Sequence, residues 1–134
     1  MQTQIPMTEA AASPHCVVLV DDDLPLLRAM KFALETEGVA VAAFLSGEAA
    51  LAAPAASYTC FVLDQRLPGM SGLDLLERYR ARGETAPAVL ITTNPSSVTR
   101  ARAQAAGVEI IEKPLLDGAL TRKVLELTAP AANA

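Results

Sequence analysis

The chain has 134 residues, 51% of them hydrophobic but only 4% aromatic, with no Trp. That length suits one domain, built on a mostly aliphatic core with many alanines. A net charge of −4 speaks against a nucleic-acid interface, which usually shows a basic stripe, and no apolar run approaches the roughly 18 residues of a membrane span.

Residues 1–14 show no sustained periodicity and read as a loose tail; residues 129–134 read as a frayed end. Between them short apolar runs alternate with helical patterns. Cys16–Val20 is a predicted buried strand. Pro25 then opens a helix in which Leu26, Leu27, Met30, Ala33 and Leu34 recur at helical spacing, and Gly38 stops it. Val39–Phe44 is the second strand. Ser46 can cap a short helix running to about Ala53. Tyr58–Leu63 is the third strand, and "DQRLPGMSG" is a loop by its Pro and Gly residues. Leu73, Leu75, Leu76 and Tyr79 mark a helix that Gly83 ends. Ala88–Ile91 is the fourth strand, and Ser96 or Ser97 starts a helix ending at Gly107. Val108–Ile111 and Leu116–Leu127 are the last strand and helix.

Five such units imply a parallel sheet with helices on both faces and right-handed crossovers. Sites in such folds lie at the carboxyl ends of the strands. Asp21, Asp22 and Asp23 follow the first strand, Asp64 the third, Thr92 and Thr93 the fourth, and Lys113 and Pro114 the fifth. Each has an ordinary reading alone: Asp23 as a helix N-cap, Asp64 capping a turn, Thr92 ending a strand, Lys113 as a solvated charge. Together they make a crevice of carboxylates, a hydroxyl and an ammonium, suited to a hard cation such as Mg²⁺ and to phosphoryl transfer onto an aspartate. Cys16 and Cys60 form neither a metal-ligand spacing nor a disulfide framework and read as reduced core or strand residues. His15 is the single histidine, which leaves no His-based site.

The stretches "VVLVDDD", "FVLDQRLPGMSGLDLL", "VLITT" and "IIEKPL" carry a resemblance to the receiver domain of a bacterial two-component response regulator, over about residues 16–128. The chain is most similar to receivers of the branch often joined to helix-turn-helix output domains. The resemblance implies a flavodoxin-like strand order 2-1-3-4-5 and a receiver domain over residues 15–128. It implies that Asp64 is the phosphoacceptor, that Asp22 binds Mg²⁺ directly and Asp21 through water, and that the Arg66 carbonyl is a further metal ligand beside Asp64. Thr92 then matches the switch hydroxyl and Lys113 the lysine that pairs with the phosphoryl group. Pro68, Gly69 and Gly72 match the turn after Asp64, and the Lys113–Pro114 bond is expected to be cis. The implied partners are a sensor histidine kinase or histidine phosphotransfer protein as donor and a downstream protein target.

Three positions depart from the family pattern. Ile110 stands where an aromatic residue is usual, the stretch from Gly107 to Lys113 is about one residue short, and Thr93 is larger than common. Two other readings stay open. One is a pseudo-receiver scaffold that is never phosphorylated. The other is a haloacid-dehalogenase-type phosphatase using Asp21-Asp22-Asp23, which Leu24 and the isolated Asp117 disfavour. The expected compartment is the cytoplasm, because the amino terminus lacks the basic start and apolar stretch of a secretory signal. Direct binding to nucleic acid or membrane is not expected. The chain reads as a stand-alone receiver or a piece of a larger regulator, the Met1 start with its irregular tail favouring the first. Arg100–Arg102, with the fourth helix, fifth strand and fifth helix, offers a homodimer face, a partner face or merely a solvated one.

Overall fold

The computed structural model describes residues 16–54, 56–115 and 118–129. In that span lie β1 (Cys16–Val20), α1 (Leu24–Thr36), β2 (Ala40–Phe44), α2 (Gly47–Ala52), β3 (Tyr58–Asp64), α3 (Gly72–Ala81), β4 (Ala88–Thr92), α4 (Ser97–Ala105), β5 (Glu109–Glu112) and α5 (Ala119–Thr128). The strands form one sheet in the order β2-β1-β3-β4-β5, with every neighbouring pair parallel. This is the predicted architecture. The tails at residues 1–14 and 130–134, and His15, lie outside the described residues.

Side chains alternate across each strand, save where β3 slips one residue against β1 between Tyr58 and Cys60, and the alternation divides the core in two. Val17 and Leu19 of β1, Cys60 and Val62 of β3, and Val89 and Ile91 of β4 pack under α1 and α5, meeting Leu27, Met30, Leu34, Leu120 and Val124. Val18, Val20, Phe61, Leu63 and Leu90 face the other way, against Ala50 of α2, the apolar side of α3 and Ala103 of α4. Burial of both faces explains why the inner strands are continuous apolar runs. The core is largely aliphatic, as composition requires. Yet three of the few aromatic rings gather in one place, with Phe61 and Tyr79 4.5 Å apart by centroid and Tyr58 5.6 and 5.8 Å from them. Both cysteines are free, Cys60 buried and Cys16 half-buried.

Element boundaries depart from the sequence pattern for local reasons. β2 starts at Ala40 because the Val39 N–H donates to the Leu34 carbonyl (3.1 Å), closing the end of α1. β5 starts at Glu109 because the Val108 N–H does the same to Ala103 (2.8 Å) at the end of α4. Leu116, the expected start of the last helix, lies outside the described residues. Gly118 has φ +69°, a left-handed conformation no helix continues through, so α5 starts at Ala119.

The loop after β3 folds back on the strand that precedes it. The Gly72 N–H donates to the Gln65 carbonyl (3.1 Å), and the Leu73 N–H donates to Oε1 of the Gln65 side chain (3.0 Å). Ser71 then caps α3 in a reciprocal pairing with Asp74. Gly72 permits this close return: a Cβ there would sit 2.5 Å from the Asp64 carbonyl oxygen and 3.0 Å from Leu90 Cδ1. Gly72→Ala should therefore lower stability by about 1–3 kcal/mol, seen as a lower urea midpoint with an unchanged slope. An unchanged midpoint would show that the loop has slack the structure does not reveal.

Candidate functional site

Strand alternation carries over into the loops. Asp21, Asp64 and Lys113 keep the parity of Leu19, Val62 and Ile111, the residues two positions before each, which belong to the α1–α5 face. Backbone bonds hold the strand ends level: Asp21 N–H to Phe44 O (3.2 Å), Gln65 N–H to Ile91 O (3.0 Å) and Lys113 N–H to Thr92 O (2.8 Å). The Lys113–Pro114 peptide is cis, as expected.

The result is a compact charged cluster. Lys113 Nζ lies 3.1 Å from Asp21 Oδ2 and 3.4 Å from Asp64 Oδ1. Asp21 is fully buried and Asp64 is 4% exposed. Asp21 Oδ1 accepts the Asp23 N–H (2.9 Å), and Asp64 Oδ1 accepts the Arg66 N–H at a long 3.4 Å. Burial, and then the charge of Asp21, push the Asp64 carboxyl up to about 6 against the opposing pull of Lys113. For Lys113, burial alone would lower the pKa, but the bond to Asp21 and the charges of both carboxylates outweigh it and hold the ammonium above its ordinary value.

One ammonium faces three carboxylates. Asp21, Asp22 and Asp64 each bring an oxygen within 4.8 Å of the others, with Asp22 exposed to solvent. Asp21 Oδ2 is buried, with Lys113 Nζ beside it at 3.1 Å. Hard oxygen donors and excess negative charge fit a divalent cation such as Mg²⁺.

Asp23 is the N-cap of α1, accepting the Leu26 N–H at 3.1 Å, which is its ordinary reading. Thr92 is buried at the end of β4, and Arg66 stands beside Asp64 through its N–H. Ile110 is half-buried, opposite Leu90 in the sheet and packed on the α2–α4 side. Arg100 and Arg102 are engaged within the chain, with Glu112 (3.0 Å) and with Asp74 and Glu77 (3.3 and 3.0 Å). Two contributions escaped sequence reasoning. Gln65 anchors the loop through its side chain, and the Arg66 guanidinium donates to the Thr93 carbonyl at 3.2 Å. Neither has a signal in the sequence, because each depends on where a distant backbone group comes to lie.

A sequence model of the response regulator receiver domain matches residues 17–125. The transcriptional regulatory protein FixJ of Bradyrhizobium diazoefficiens is 32% identical over 110 residues, covering 81% of this chain and 54% of that protein. FixJ of Rhizobium meliloti is 36% identical over 105 residues, covering 77% and 52%. The chain thus spans about half the length of these curated relatives. Among solved structures, a CheY-like receiver domain protein from Methanospirillum hungatei superposes with a TM-score of 0.79 at 27% identity, covering 91% of this chain and 100% of that one. No helix among the described residues is long and apolar enough to cross a membrane. Sheet order, the acidic crevice with its lysine, and these matches agree: the chain belongs to the receiver domain family of two-component response regulators.

Proposed function

We propose that Asp64 accepts a phosphoryl group from a phosphohistidine of a sensor kinase or phosphotransfer protein, and that the modified domain changes its binding to a downstream protein. The observation that carries this is Lys113 Nζ, shared between Asp21 and Asp64 at 3.1 and 3.4 Å in a crevice at the carboxyl end of the sheet. Oδ1 of Asp64 already meets Lys113 and the Arg66 N–H, so Oδ2 is the nucleophile. It attacks phosphorus, the donor's P–N bond breaks with its electron pair returning to the imidazole, and an acyl phosphate remains on Asp64. Lys113 moves its ion pair toward the phosphoryl oxygens, and the Thr92 hydroxyl donates to one of them. Asp22 directly, Asp21 through water, Asp64 and the Arg66 carbonyl would hold Mg²⁺. The ion's contribution is to neutralise the phosphoryl oxygens and the crowded carboxylates. One phosphoryl group per Asp64 makes this a signalling acceptor rather than a turnover enzyme. A homodimer through α4, β5 and α5 is one form the changed binding can take, and cytoplasmic residence goes with such a donor.

Asp64→Asn should abolish hydroxylamine-labile phosphate after treatment with a small-molecule phosphodonor and Mg²⁺. Labelling of the variant at full stoichiometry would refute the assignment.

The raised pKa of Asp64 has a pH consequence with a definite sign. The carboxyl is more protonated in the folded chain than in the unfolded one. Its contribution to stability is therefore fully present below about pH 4 and is lost as pH rises through about 6. With metal chelated, Asp64→Asn should melt roughly 2–6 °C above the natural protein at pH 7, and the difference should close toward pH 4. Equal melting temperatures at both pH values would show that Asp64 is not destabilised by its surroundings.

Ile110 is β-branched and has no ring to swing. Binding of a phosphoryl mimic should shift backbone resonances of residues 93–108 more than those of Ile110. The reverse pattern would place the switch on the aliphatic side chain.

A further inference from the structure

We propose that the Arg66 side chain is a latch between the phosphoacceptor loop and the β4–α4 loop. It is closed on the Thr93 carbonyl in the resting protein and opens when a phosphoryl group on Asp64 draws the guanidinium away. The proposal rests on Asp64 being the phosphoacceptor and extends that reading to how the modification is transmitted.

Arg66 stands two residues after Asp64 and is tied to it by its own N–H, at 3.4 Å from Oδ1. Its guanidinium crosses to a carbonyl 27 residues on, donating to Thr93 O at 3.2 Å. Both residues are exposed, so the guanidinium is free to change partner. Thr93 is a well-placed point to hold. Behind it, Thr92 is buried and its carbonyl accepts the Lys113 N–H. Ahead of it, Asn94 has φ +51°, a left-handed conformation that non-glycine residues seldom adopt, and α4 begins at Ser97.

The two states offer Arg66 different acceptors. In the resting chain the Asp64 carboxylate is already engaged by Lys113, and a neutral carbonyl is the guanidinium's partner. A phosphoryl group replaces the single negative charge of the Asp64 carboxylate with about two and brings a fan of acceptor oxygens within two residues of Arg66. Guanidinium–phosphoryl bonds are shorter and stronger than bonds to a neutral carbonyl, and they match the guanidinium fork. That difference between states is what a switch requires. The element released is lightly held, since Ala103 is the buried residue of α4 and its flanks are pinned by the exposed pairs Arg100–Glu112 and Arg102–Asp74/Glu77.

The test is amide hydrogen exchange at Thr99 and Arg100, whose N–H groups donate to Ser96 Oγ (3.1 Å) and Ser96 O (2.9 Å) in the first turn of α4. The full chain is measured with Mg²⁺, with and without beryllofluoride as the phosphoryl mimic. In the natural protein the mimic should speed exchange at both amides about five-fold. Resting Arg66→Ala should already exchange at close to that rate, and the mimic should add little. Exchange in resting Arg66→Ala equal to the natural protein, or a full response to the mimic in that variant, would overturn the latch alone. A natural protein that shows no bound-fluoride resonance and no phosphate on Asp64 would overturn the phosphoacceptor reading, and the latch with it.

Discussion

The structure turns on one ammonium between two buried carboxylates. Asp21 comes from the end of β1, Asp64 from the end of β3 and Lys113 from just past β5, so their meeting draws three strand ends together. Burial of charge is costly, and a pair of apolar residues of similar volume would often hold such a junction at least as well. The cluster is therefore poorly explained by stability. It also leaves charge uncompensated, because Asp22 adds a third carboxylate with no second ammonium described beside it. A site built with too much negative charge, at the end of a well-packed sheet, is prepared for something positive or for something that will change the charge. On the function proposed above, that something is a phosphoryl group with its cation.

Much of this was readable from residue order. A parallel sheet places strand ends side by side, so once β1, β3, β4 and β5 were identified, Asp21, Asp64, Thr92 and Lys113 had to share a crevice. Asp23 shows the limit of reading by proximity. It adjoins two candidate ligands, yet its side chain caps α1. The starts of β2 and β5 were misread by one residue because the N–H groups of Val39 and Val108 turn back to helix carbonyls, a choice invisible to hydrophobic pattern. Least legible of all was Arg66, whose side-chain partner is a carbonyl 27 residues away. Backbone acceptors carry no identity in a sequence.

The two helices that flank the crevice on the far side from α1 and α5 differ sharply in how they are held. α3 buries Leu73, Leu75, Leu76 and Tyr79, and is capped reciprocally at its start. α4 buries Ala103, and otherwise relies on arginines whose side chains are 38% and 54% exposed. Exposed pairs of this kind contribute little and are screened by salt. The sheet and α3 thus form a rigid frame, and α4 is an attachment to it. A frame that holds Asp64 in place beside one lightly attached helix would let the proposed modification be felt elsewhere without loosening the core.

The shared strand parity of Asp21, Asp64 and Lys113 also constrains how such a chain can vary over evolutionary time. Inserting one residue within β1, β3 or β5 would turn the charged group to the opposite side of the sheet. Inserting two would restore the side but carry the group about 7 Å beyond its partners. Length changes in the crevice-side half of these strands are thus disfavoured in both odd and even steps, whereas the opposite end tolerates them, as where β3 slips one residue against β1 between Tyr58 and Cys60. Insertions and deletions among related chains should accumulate at that opposite pole, making the molecule conservative at one end and permissive at the other.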